Sequence, residues 1–332
     1  MTMHPKGLNR TSTNLTAEKL WTGGAWLEGP CWLPREGKLL FSDVAGDKQY
    51  LLDPDTKTVS LFRPYSSHAN GNTLDFRNKY YFSEKPDYFI LSCEHGRRCI
   101  SASLPPHAVS IGTKPPTEDV RNVIIVDKFA NRRFNSPNDI VVRSCDGSVW
   151  FTDPPYGILS DFTGMQSSSQ IVGCFVYCLL PPSPEHLEER VINIAISDCQ
   201  RPNGLAFTPD EKQLYVADMS RYEWGDLGRH EIRLYDIVET ISTDGKNTIE
   251  KIEAVNGRRF FVVEPGIPDG FRVDGDGYLY TSSQDAITIV SPEGKEVNRV
   301  SVPEHITNCT FGGPHENELY VTSNKSIFRI QF

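Results

Sequence analysis

The chain has 332 residues and a formal charge of −9, from 34 Lys and Arg against 43 Asp and Glu. With no basic run anywhere along it, a nucleic-acid groove is excluded, because phosphate binding needs a positively charged surface. Hydrophobic residues at 38% supply a core, and 25 Gly with 23 Pro indicate many turns, so the composition is that of a globular β protein rather than a disordered one.

Residues 1–19 read as an N-terminal extension, in which Met1-Thr2-Met3-His4-Pro5-Lys6 is followed by polar residues where a signal peptide would need its apolar segment. No stretch reaches about 18 consecutive apolar residues, the length of a membrane-spanning helix. The expectation is a cytoplasmic protein with no membrane partner, whose eight cysteines are free and mostly buried. Cys93 and Cys99, like Cys174 and Cys178, lack partners at zinc-finger spacing.

From residue 20 to 332 a single domain is expected, because one unit recurs along the whole stretch. A small polar residue opens a short strand in Glu28-Gly29-Pro30-Cys31-Trp32, then in Asn70-Gly71-Asn72-Thr73-Leu74 and Asn138-Asp139-Ile140-Val141. The pattern returns in Asn203-Gly204-Leu205-Ala206, Asp269-Gly270-Phe271-Arg272 and Asn308-Cys309-Thr310-Phe311. A second strand follows each start and ends in a small polar residue, as in Lys38-Leu39-Leu40-Phe41-Ser42-Asp43 and Ser148-Val149-Trp150-Phe151-Thr152-Asp153. These segments are rich in β-branched and aromatic residues and are bounded by Gly and Asp turns.

The six starts follow one another at intervals of 42, 68, 65, 66 and 39 residues. The short intervals match a four-stranded propeller blade of about 40–45 residues, and the long ones a blade plus an insertion. The predicted fold is therefore all-β: a six-bladed β-propeller with four-stranded antiparallel blades around a central axis. Insertions are expected at Pro105–Pro116, Asp153–Ser169, Pro181–Glu189 and Ser220–His230, with a brief helical turn over Glu185–Val191. Closure requires the last strand, Lys325–Phe332, to pair with a segment near Leu20–Leu27.

Innermost propeller strands converge, so the six polar starts can meet although they are distant in sequence. Carboxylates from Glu28 and Asp269 with amide oxygens from Asn138 and Asn203 would form an all-oxygen cluster suited to a hard divalent cation. Taken singly, Asn or Asp before Gly is an ordinary turn residue. Six in phase are not explained that way, and Glu28 has no turn role.

The chain resembles the SMP-30/gluconolactonase/luciferin-regenerating-enzyme family, and within it the gluconolactonase branch. The resemblance rests on Leu27-Glu28-Gly29-Pro30, Cys93-Glu94-His95-Gly96, Ser136-Pro137-Asn138-Asp139, Thr152-Asp153-Pro154-Pro155-Tyr156-Gly157, Arg201-Pro202-Asn203-Gly204, Ile267-Pro268-Asp269-Gly270 and Thr307-Asn308-Cys309-Thr310. It implies one divalent metal at the axis, with calcium ranked first and magnesium, manganese or zinc after it, and hydrolysis of a small sugar lactone. It also implies that Glu28, Asn203 and Asp269 hold the metal, that Asn138 faces both metal and substrate, and that Asp269 is the catalytic base. A metal-bound water is the competing account of the base.

His95, Tyr156, Asn70 and Asn308 are further substrate-binding candidates; His68 and Arg133 rank behind them. One departure from the branch, Asn72 where a Leu is usual, together with Tyr80–Pro86 as an insertion, bears on the pocket rim. The alternative function is the same metal propeller acting as a Lewis acid in isomerisation, elimination or ring closure, and a third reading is a non-catalytic scaffold.

Overall fold

The structure, a computed structural model, describes residues 4–77, 86–109, 122–181, 191–242 and 249–332. Six four-stranded antiparallel sheets form a six-bladed β-propeller. Their innermost strands are Leu27–Leu33, Ala69–Asp75, Ile140–Val142, Pro202–Phe207, Phe271–Val273 and Ile306–Gly312, so every polar start of the repeat stands at or just before an innermost strand.

Alternation within each strand sends one set of side chains to each neighbouring blade. The apolar core is accordingly divided into six clusters, one at each blade–blade interface. Phe89 and Leu91 of the second blade pack with Phe151 and Tyr177 of the third, while Leu27 and Phe41 of the first pack with Tyr320 and Ile327 of the sixth. Trp32 stacks on Tyr320 across that last interface, with ring centroids 5.3 Å apart.

The sixth blade closes the ring. Its outermost strand is Ala17–Thr22, paired antiparallel with Ser326–Gln331. The closing strand thus begins before Leu20 and ends before the expected Leu27: the chain turns at Gly23 and Gly24, and Leu27 already belongs to the first blade. The boundary drawn at residue 20 falls inside this strand. Residues ahead of it lie against the fifth blade, where the Arg10 guanidinium donates to Asp274 at 2.7 Å and covers the Tyr278 ring.

The long intervals have two structural sources. Asp153–Ser169 and Ser220–His230 leave the sheets as insertions with single helical turns at Tyr156–Leu159 and Arg221–Trp224. The fourth blade is also lengthened by an outer hairpin, Glu231–Ile241 with Ile249–Val262, which the spacing alone does not distinguish from a loop. The expected helical turn at 185–190, the insertion at 80–85 and most of the Pro105–Pro116 segment lie outside the described residues. Among the described residues no helix is long and apolar enough to cross a membrane. All eight cysteines are free, and only Cys145 among them is exposed.

Candidate active site at the propeller axis

Two local devices bring the polar starts together. In the first, second, fourth and sixth blades the pairing register slips beside the polar residue, at Glu28/Cys31, Ala69/Asn72, Pro202/Leu205 and Ile306/Asn308. A bulge of this kind bends the strand and redirects a side chain out of the alternating pattern, here at the strand starts around the axis. The second device is the glycine after the polar residue. A Cβ on Gly29 would stand 2.0 Å from the Asn70 carbonyl oxygen, and one on Gly204 2.4 Å from that of Asp269. These glycines are set by close approach between neighbouring innermost strands, which also bond directly: Gly71 N donates to Asn138 O at 2.8 Å and Gly270 N to Thr307 O at 2.7 Å.

The second-strand ends carry a matching role. Asp43 accepts from Ala25 N and Trp26 N, Asp153 from Asn135 N and Ser136 N, and Asp218 from Gln200 N and Arg201 N. Each carboxylate thereby anchors the loop that leads into its own blade's innermost strand. Backbone N–H groups that would otherwise be buried unsatisfied are paired, and the polar start is held in place.

A cavity of about 260 Å³ opens at this end of the axis, and Glu28, Asn138, Asn203 and Asp269 all line it. Asn70, His95 and Tyr156 line it as well. Asn308 does not: it lies beside the floor, with its amide 3.5 Å from both the Glu28 and the Asp139 carboxyls and its oxygen accepting from Cys309 N. His68 is turned away to the Val44 carbonyl, and Arg133 donates to the Arg97 carbonyl outside the cavity. Asn72 is also absent from the rim. It sits in a buried network with Gln49, Ser42 and Ser92 that joins the first two blades, so the Leu-to-Asn departure is a matter of blade packing.

Burial drives the electrostatics. It lifts the Glu28 carboxyl well above the usual range, with Asp269 and Asp139 adding repulsion. Asp269 is raised to about 8, first by burial and then by Asp139, against a hydrogen bond from Asn203. Asp139, the residue after Asn138, is a third carboxyl at the axis, likewise raised by burial, and the Arg272 guanidinium stands 3.8 Å from it. Sequence reading passed over Asp139 because it occupies the position where four of the other units carry glycine; that exception was the available signal.

Among the described residues, no trio of His, Cys, Asp or Glu is close enough to hold a metal ion. A cation here would draw on the Asn138 and Asn203 amide oxygens together with the Glu28 and Asp269 carboxylates. The donor set fits a hard divalent ion. In formal charge, such an ion and the Arg272 guanidinium balance the three axial carboxylates, which otherwise repel one another in a poorly solvated place.

His95 fixes one wall. The Thr163 carbonyl lies 2.7 Å from its Nδ1, so Nδ1 carries the proton and Nε2 accepts from the Asn70 amide at 3.3 Å. Burial lowers the ring to about 4, which keeps it neutral. Both nitrogens are engaged, and the ring ties the second blade to the 156–166 insertion. The cavity's apolar wall, Trp26, Leu159, Phe162, Met219, Tyr222 and Ile267, was not foreseen. It comes from loops without periodicity, whose path over the axis no local pattern specifies.

Fold and site together define a propeller with an acid–amide floor at one end of its axis and insertions shaping the cavity above it. A family model described as SMP-30/Gluconolactonase/LRE-like region matches residues 26–325, and the chain belongs to that family. A gluconolactonase of Zymomonas mobilis is 29% identical over 316 residues, 92% of this chain and 78% of that one. Regucalcin of Xenopus laevis is 26% identical over 304 residues, 89% and 82% of the two chains. The solved structure of a Xanthomonas campestris gluconolactonase superposes with a TM-score of 0.76 at 26% identity, covering 100% of this chain and 97% of that one.

Proposed function

We propose that the protein is a metal-dependent hydrolase of small lactones, working at the axial cavity. The observation that carries this reading is the convergence of Glu28, Asn138, Asn203 and Asp269 on one cavity floor, in a chain similar over 92% of its length to a gluconolactonase. Glu28, Asn203 and Asp269, with Asn138 beside them, would hold one divalent ion, calcium first. When bound, such an ion supplies positive charge that polarises a carbonyl oxygen.

The chain's own residues supply the rest. Asp269 is the base: its carboxylate stands on the cavity floor, where it would take the proton of an attacking water. The Asn138 side chain orients the ring by a hydrogen bond to a lactone oxygen. The neutral His95, anchored at both nitrogens, keeps Asn70 and the insertion in position. Tyr156 and Phe162 limit access of bulk water from above, so attack is confined to water admitted beside Asp269.

The test is lactone hydrolysis followed with a pH indicator, before and after chelation and after calcium is restored. Chelation should remove activity and calcium return it; Asp269→Asn should lower kcat by roughly a hundredfold or more, the usual weight of a general base. Near-normal turnover by Asp269→Asn removes that residue from the chemistry, and turnover indifferent to chelation removes the metal.

A further inference from the structure

The cavity floor is polar, but its walls are not suited to a ring covered in hydroxyl groups. Leu159, Phe162 and Tyr222 stand at the mouth with 53%, 57% and 69% of their surfaces exposed. They are contributed by the two insertions at 153–169 and 220–230, on the third and fourth blades. Clusters of exposed apolar side chains around a concave site mark a place where an apolar ligand is covered.

The polar side chains above the floor are largely committed to the protein. Asn70 donates to His95, His95 to the Thr163 carbonyl, and the Asn203 amide stands 2.7 Å from the Met219 sulfur. No Lys or Arg is among the described residues lining the cavity. Ser160 and His305 are exposed polar groups at the rim, and the Tyr156 hydroxyl is buried with no hydrogen-bond partner among the described residues. A polyhydroxylated ring would bring several donors and acceptors to a site with few free partners, and unpaired buried groups count heavily against binding.

There is also room beyond the ring. A second chamber of about 490 Å³ adjoins the cavity, sharing Tyr222, Ile267, Asp269 and His305 with it, and carries Pro265 and Ile306 on its walls. Its Arg221 is already paired with Glu264 at 2.7 Å, so among the described residues lining the chamber no Lys or Arg is left free for an anionic group, and Ser283 and Gln284 are its uncharged polar members.

We infer that the axial cavity takes a lactone carrying an apolar alkyl or aryl substituent, in preference to a polyhydroxylated sugar lactone, with the ring carbonyl on the acid–amide floor and the substituent along the Phe162–Tyr222 wall. This inference rests on the hydrolase reading for its chemistry and on the cavity walls for its specificity. The bond made and broken is that of any lactone: water adds to the carbonyl, the ring C–O bond opens, and the proton lost by water ends on the released alcohol.

The test compares δ-valerolactone, its pentyl-substituted form δ-decalactone, and D-glucono-δ-lactone on the calcium-loaded full chain. At about fourfold per buried methylene, the pentyl lactone should exceed δ-valerolactone in kcat/KM by tenfold or more and exceed the sugar lactone by at least as much. Phe162→Ser, a change at an exposed position, should reduce the ratio of δ-decalactone to δ-valerolactone several-fold. A higher kcat/KM on D-glucono-δ-lactone, or a ratio untouched by Phe162→Ser, overturns the inference.

Binding of two ring analogues that resist hydrolysis, a pentyl δ-lactam and the lactam of gluconic acid, is read separately by calorimetry. Tighter binding of the pentyl lactam supports the apolar site even if no lactone is turned over, in which case only the hydrolase reading falls. Tighter binding of the hydroxylated lactam overturns the inference whatever the enzyme does.

Discussion

His95 shows how one buried ring couples the site to solution conditions. Held at about 4 in the folded chain against an ordinary 6.5, it favours the fold only while neutral. Its contribution is complete above about pH 6.5 and is lost as the pH falls toward 4, because the unfolded chain takes up the proton first. Between pH 7.5 and 4.5 the loss should be on the order of 2–3 kcal/mol, at 1.36 kcal/mol for each pKa unit. Urea unfolding of the wild type and of His95→Gln at the two pH values checks this: the variant should lack that part of the acid decline, and an equal decline in both sinks the assignment. Gly29 makes a steric point at the same scale. Its φ is +54° and a Cβ would meet the Asn70 carbonyl at 2.0 Å, whereas Gly37, at φ +61°, has nothing within 4 Å of a Cβ. Gly37→Ala should cost only the left-handed backbone term, about 1–2 kcal/mol. Gly29→Ala should cost roughly 2 kcal/mol more, from overpacking against backbone that cannot yield; similar unfolding midpoints for the two would show that the innermost strands are not in forced contact.

Strands and insertions divide the work between them. The innermost strands were legible from the repeat, since a polar residue, a glycine and a short apolar run recur in phase. Their bulges were not, because a register slip of one residue depends on the partner strand as well as on the strand itself. Asn72 illustrates the same limit: its identity departs from the family pattern, yet only the position of Gln49 and Ser42 opposite it assigns it to blade packing. The insertions were legible as extra length and nothing more. Tyr156 was named from its Pro-Pro context, whereas Phe162 and Tyr222 have no comparable local signal, and they reach the cavity only because the third and fourth blades present their loops to the same end of the axis.

At the scale of the molecule, stability depends on closure. Ala17–Thr22 covers the edge of Ser326–Gln331, and Trp21 packs on Phe41 of the first blade with ring centroids 5.6 Å apart. Removing residues 1–22 would expose a strand edge and open the sixth interface. The shortened chain should melt about 10 °C lower or more, at ~2–4 °C per kcal/mol for a domain of this order, and should self-associate through the bare edge. Scanning calorimetry and size-exclusion chromatography read the two effects, and an unchanged melting temperature with a monomeric profile would mean that the other five interfaces suffice.

Six-fold repetition, the strand pattern and the candidacy of Glu28, Asn138, Asn203 and Asp269 follow from the sequence by itself, because each depends on local residue type and even spacing. Three things were decided only in the tertiary structure. Asp139 and Arg272 meet at the axis from blades that are not adjacent, Asn308 is displaced from the cavity wall, and two loops without periodicity line the cavity with apolar side chains. Repetition specifies where each strand start goes, since every blade repeats the same local solution. The chemistry above the axis depends on groups from different blades converging in space, which no local pattern encodes.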